Sequence, residues 1–201
     1  MITFLKSEEQ HQHPNGGGWV ANTATVDASA FVGRDARVYG DARVSDNAQL
    51  SDNARVYGNA QVYGNAWVYG DARVSGDARV SGNAWVYGNA QLSGNAQLSG
   101  NAQLSGNAWV SGDALVSGNA RVSDNAWKTS PLYIQGSKHG LTNSAYGYLN
   151  IGCIKLPFSE WKKRYKEIGK EQNYTPAQIK EYGKFIALAT TLGRNKTYGK
   201  A

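Results

Sequence analysis

The chain is short of the residues that would announce chemistry or a membrane. One cysteine, Cys153, among 201 residues excludes an internal disulfide framework and fits a reducing compartment. No apolar run approaches the roughly 20 residues of a membrane span, and the first residues lack the long apolar stretch of a signal peptide. No membrane partner is therefore expected, and the expected location is cytoplasmic. Histidine is scarce, with three in the chain and none between His13 and His139. His11 and His13 alone do not make up a metal ligand set, so no metal and no other cofactor is implied. Cys153, in the apolar run Ile151-Gly-Cys-Ile154, reads as a buried structural thiol, and no pattern specifies a nucleophile.

Net positive charge is lacking from the first part of the chain and concentrated in the last. Residues 1–128 hold nine Lys or Arg against eleven Asp or Glu, whereas residues 155–201 hold eleven against four. The formal net charge of +6 therefore belongs to the tail.

What the chain has in abundance is alanine on a fixed beat. From Ala24 to Ala126 an alanine falls on every sixth residue, eighteen times, and in every unit but the last the residue two places on is Val or Leu. Typical units are Ala42-Arg-Val-Ser-Asp-Asn and Ala60-Gln-Val-Tyr-Gly-Asn. Side chains of an extended segment alternate between faces, so Ala and the Val or Leu point one way and the residue between them points the other. The Gly-Asn, Gly-Asp or Asp-Asn pair that follows tolerates positive φ and turns a corner. Three corners close a triangle, so eighteen units give six coils and, at about 4.8 Å per stacked strand, a prism roughly 29 Å tall.

Reading every eighteenth residue separates the three outer faces. Arg37, Arg55 and Arg73 form a column that continues through Gln91 to Trp109 and Trp127. Trp67 stands one coil from Trp85 on another face, and Trp109 is expected one coil from Trp127. Arg beside exposed aromatic rings fits contact with a second subunit or partner, a solvated ladder without a ligand, or capture of a nucleotide or other anion.

The chain divides into an N-terminal cap (1–23), in which Trp19 helps cover the first coil, the repeats (24–128), a strand-like connecting region (129–156) and a basic tail (157–201). In the tail the period changes to 3.6. Phe158, Trp161, Tyr165 and Ile168 share one face of a helix starting near Ser159, and Thr175-Pro-Ala-Gln178 has capping-box spacing before a second helix that Gly193 stops. Lys162, Lys166 and Lys170 lie opposite the apolar stripe, a solvated face that also suits phosphates or an acidic protein surface. No recognised nucleic-acid-binding motif accompanies them, so nucleic acid has only charge in its favour.

The repeats resemble the hexapeptide-repeat proteins that form left-handed parallel β-helices, closest in texture to bacterial and phage-encoded Gly-Asn-Ala-x-Val-Tyr/Ser-Gly arrays, often labelled acyltransferases, that share a Gly17-Gly-Trp-Val20 segment. The stretch from Ile151-Gly-Cys-Ile through Trp161, Ile168-Gly and Tyr174-Thr to Ile179-Lys-Glu-Tyr-Gly is similar to a terminal module of phage and prophage versions. The resemblance implies a left-handed coil, a homotrimer, and a setting in the host cytoplasm or a virion. Family acyl transfer relies on a histidine near an intersubunit groove and on an inserted loop. This chain has no insertion between Ala24 and Ala126, and His139 on the Ser137-Lys-His-Gly140 turn is the one weak candidate base. The reading that follows is a non-catalytic β-helical scaffold that binds a macromolecule, with inhibition of a host defence system as its specific version. Acyltransferase activity and anion capture on the Arg/Trp face are the competitors.

Overall fold

The computed structural model describes residues 9–123, 126–127, 131–145 and 147–192. Two-residue strands recur at every unit and stack as three parallel sheets, one on each side of the solenoid. Partners across the coils are eighteen residues apart, as in Arg37 with Arg55 and Trp67 with Trp85. Backbone bonds run from coil to coil: Arg37 N donates to Ala54 O at 2.9 Å and Tyr39 N to Val56 O at 3.0 Å. The inward Ala and Val or Leu are sealed, with Ala78 and Val80 both 0 % exposed. A core this narrow has room for little else.

The corners explain the rest of the repeat. Gly58 has φ +71°, and a Cβ there would lie 3.0 Å from the amide nitrogen of Gly76 in the next coil. Positive φ and close stacking together select glycine. Asp46 and Asp52 occupy the same position at φ 59° and 54°, each accepting a hydrogen bond from the glycine amide one coil on, Gly64 at 2.9 Å and Gly70 at 3.0 Å. Beside this position runs an amide ladder. Asn47 donates to Asn65, Asn65 to Asn83, Asn83 to Asn101 and Asn101 to Asn119, at 3.0 to 3.3 Å. On another corner Asn59 donates to Asp77 at 2.9 Å and Asn95 to Asp113 at 2.9 Å. Where carboxylates enter these stacks an amide lies one coil away, which avoids like charges in register.

Both ends depart from expectation. Trp19 does not cover the first coil: with Val20 it forms a rung of its own, paired in parallel with Arg37-Val38, and its side chain faces outward, 37 % exposed. The cap is the antiparallel strand Gln10–Gln12, which closes that rung's open edge. At the other end the register slips. Trp109 pairs with Ala126 and Val110 with Trp127, so the expected Trp109 and Trp127 column does not form. The step from Val110 to Trp127 is seventeen residues, one short of the eighteen that every earlier coil keeps. The last rung pairs on one side only, so no further coil pins it.

A four-stranded antiparallel sheet, Tyr133–Gln135, Gly140–Ala145, Tyr148–Ile151 and Ile154–Pro157, follows the solenoid. It docks on the last coil: Arg121 N donates to Thr142 Oγ1 at 3.4 Å, Lys155 Nζ to Ser123 Oγ at 2.6 Å, and the Tyr133 ring lies against Gly118. Helix α1 (Phe158–Glu171) and helix α2 (Pro176–Leu192) pack on this sheet around Leu141, Leu149, Trp161, Ile168, Tyr182 and Ile186. Trp161 Nε1 donates to Leu149 O at 2.9 Å, tying α1 to the sheet. Helix α2 opens on the expected capping box. Thr175 N donates to Gln178 Oε1 at 2.9 Å, and Gln178 N donates to Thr175 Oγ1 at 3.2 Å. Gly193, its expected stop, lies outside the described residues.

Candidate functional site

Arg37, Arg55 and Arg73 project from consecutive coils of one sheet, in register. Among the described residues the ion pairs are Lys163 with Glu160 at 3.8 Å and Arg164 with Glu167 at 3.1 Å, both within α1. None of the three arginines therefore has a described carboxylate within salt-bridge distance, although Asp35, Asp41 and Asp71 sit on nearby corners. Stacked cations repel unless an anion joins them.

Two residues on from the arginines, on the same face, stands a feature the sequence reading missed. Tyr39 and Tyr57 stack with ring centroids 4.8 Å apart and planes 2° from parallel. Burial, and then the Tyr57 hydroxyl, push the Tyr39 phenol above its usual value, while Arg55, Arg73 and Arg37 pull it back. The guanidinium groups and the phenols thus share one electrostatic environment. The signal was present, since tyrosine recurs at the fourth position of units eighteen residues apart.

The second outer face carries a patch of four rings. Trp67 and Trp85 stack at 5.7 Å and 19°, and Tyr69 and Tyr87 stack beside them at 5.0 Å and 3°. Burial, then Tyr87, then Asp52 raise the Tyr69 pKa. Both tryptophans remain near 40 % exposed, Trp67 at 41 % and Trp85 at 37 %. Trp109 stands on the arginine face instead, beyond Gln91, with Nε1 donating to Ser93 Oγ at 3.1 Å.

These spacings decide what the rings can do. A base sliding between two rings needs a gap of roughly 7 Å, twice the 3.4 Å stacking rise. The Tyr39 and Tyr57 rings at 4.8 Å and the Trp67 and Trp85 rings at 5.7 Å leave no such slot. The ladders are surfaces.

Lys162, Lys166 and Lys170 all lie exposed on α1. Lys166 Nζ approaches its neighbour Tyr165 at 5.9 Å, and Lys170 in the last turn complements the helix dipole. The structure does not bring these lysines into the arginine column's sheet.

His139 lies at the turn of the C-terminal sheet, exposed. Its ring sits 5.8 Å from that of Tyr174 and against Gly152, and among the described residues no hydrogen bond holds either ring nitrogen. The backbone of His139 is held firmly, its N–H donating to the Tyr182 hydroxyl at 2.5 Å and its carbonyl accepting from it at 2.6 Å. Cys153 was expected inside a strand and is instead exposed. Gly152, at φ +59°, and Cys153 form the tight turn between two strands, which lifts the thiol out of the core. His11 bonds Asn22 Oδ1 at 3.2 Å, while His13 is buried with its ring 3.2 Å from Asn15 O; both belong to the N-terminal cap. Among the described residues no three of His, Cys, Asp and Glu cluster as metal ligands, and no helix is long and apolar enough to cross a membrane.

Among known families, the YdcK beta-solenoid repeat matches residues 36–49, 48–64, 60–76, 72–88 and 102–118. The similarity lies within the solenoid and speaks to its fold. No curated protein and no solved structure matches the chain.

Proposed function

We propose that this protein is a non-catalytic binding scaffold whose rigid solenoid presents Arg37, Arg55 and Arg73 to an acidic protein surface. The observation that carries this reading is the column itself: three guanidinium groups in register, one coil apart, without a carboxylate partner among the described residues. Guanidinium groups suit carboxylates because their fork of donors meets both oxygens. The column lies on a sheet face rather than in a cleft, which favours a macromolecule over a small ligand. Closed ring stacks argue against nucleotide bases as the ligand. Acyl transfer is the weaker reading, since nothing orients the His139 ring toward a nucleophile.

The Trp67, Trp85, Tyr69 and Tyr87 patch serves self-association in this proposal, because exposed aromatic clusters with few charges are typical interface cores. A trimer is the form that the family resemblance implies. The phage-like tail supports a host component as the partner, with inhibition of a host defence system as the specific version, and Lys162, Lys166 and Lys170 add a second basic surface to it.

The test is capture from host lysate with the full chain, comparing wild type with Arg37→Gln/Arg55→Gln/Arg73→Gln and with Lys162→Glu/Lys166→Glu/Lys170→Glu. Loss of one dominant protein in the arginine variant supports the reading. Capture unchanged in that variant and lost in the lysine variant moves the site to α1, and recovery of nucleic acid in place of protein overturns the choice of partner.

A further inference from the structure

A cavity of about 290 Å³ lies in the C-terminal module, between the sheet turn at Gly152 and the helical hairpin. Its walls are mostly aliphatic and aromatic, including Ile151, Ile154, Ile168, Ile179 and Trp161, with His139 and Gln172 among the polar residues that line it. The solenoid contributes one residue, Arg121 of the last coil. No Asp or Glu lines the cavity, and Arg121 has no ion pair among the described residues. Arg121, exposed on the last coil, thus places a permanent cation at the edge of a largely apolar chamber, with no counter-charge among the described residues. Tyr174 also lines the space, and burial, then Tyr182, raise its phenol well above the usual value. It stays neutral there and offers a hydroxyl that does not repel an anion.

We propose that this cavity is a binding site for a small amphipathic carboxylate, an aliphatic or aryl acid whose apolar body lies among the isoleucines and whose carboxylate meets Arg121. The volume falls at the lower edge of small-molecule sites, roughly 300 to 1,000 Å³, too small for a macromolecular segment. Apolar walls account for affinity in proportion to the area buried, and the single guanidinium fixes the ligand's orientation and sign of charge. The cavity is built jointly by the last coil, the sheet turn and both helices. Occupancy would therefore brace the module against the solenoid. This site is separate from the arginine column, and its success or failure leaves that reading untouched.

The chain supplies its own reporter, because its one cysteine, Cys153, lines the cavity and is exposed. The experiment titrates the full-length protein with octanoate, octanol and octylammonium, following heat of binding and the rate of Cys153 alkylation. Octanoate is expected to bind one to one and to slow alkylation at least about tenfold at saturation, with octanol at least about tenfold weaker and octylammonium weaker still. Arg121→Gln is expected to bring octanoate to the level of octanol, and Arg121→Lys to restore part of the difference. Ile154→Trp, which fills the chamber, should abolish binding while an unchanged melting temperature shows that the fold is intact. Octanoate that neither binds nor protects Cys153 at millimolar concentration overturns the proposal, as does octylammonium binding as tightly as octanoate or Arg121→Gln without effect.

Discussion

At the scale of single residues, position within the six-residue unit decides the energetic weight of a side chain. Ala78 is sealed in the core and Arg79, its neighbour, points to solvent. Ala78→Asp should cost several kcal/mol, because an unpaired carboxylate enters a chamber with no polar partner, whereas Arg79→Ala should change stability by less than about 1 kcal/mol. Denaturant unfolding of the two variants checks the assignment, and equal effects would refute it. The corners give a second test. Asn59 donates to Asp77 and stands one coil from Asp41, so Asn59→Asp sets three carboxylates in register and should cost about 1 kcal/mol or more at neutral pH, in part recovered by salt. Tyr174 gives a pH prediction. Its folded pKa lies above the unfolded value of about 10, so the unfolded chain releases this proton first and stability falls as pH rises past that point. Tyr174→Phe should flatten the alkaline decline, measured as melting temperature against pH.

At the scale of elements, the repeats were legible because a strict period leaves one register and one inward face. The Arg37, Arg55, Arg73 column and the Trp67, Trp85 pair followed directly from that period. The ends were not legible, since a terminal rung pairs on one side and answers to local cost. Trp19-Val20 joined the solenoid, and the last rung slipped by one residue, with Val110 paired to Trp127. The C-terminal cavity was hidden for another reason: its walls come from residues 121, 139, 151–154, 161–172 and 174–186, brought together only by tertiary packing. By contrast the start of α2 was written locally, in Thr175 and Gln178. Thr175→Ala should cost about 1 kcal/mol and loosen hydrogen-exchange protection in the first turn of α2 before it does so in α1.

At the scale of the whole molecule, the solenoid is a straight-sided body whose faces differ only in what projects from them. One face offers cations, another a patch of four rings, and the basic α1 sits at the far end on its own sheet. Self-association through the rings should weaken in Trp67→Ser/Trp85→Ser, because buried tryptophan anchors often contribute at least about 2 kcal/mol each. Sedimentation of the pair variant against wild type reads this out, and a wild-type monomer at micromolar concentration would free the patch from that role. The cationic face is tested most directly by titration of the full chain with a poly-glutamate peptide at rising salt. Wild type should bind with an affinity that falls steeply with salt, and Arg37→Gln/Arg55→Gln/Arg73→Gln should lose at least about tenfold in affinity and most of the salt dependence, with the melting temperature unchanged. Equal binding and an equal salt slope for wild type and the triple variant would contradict the account.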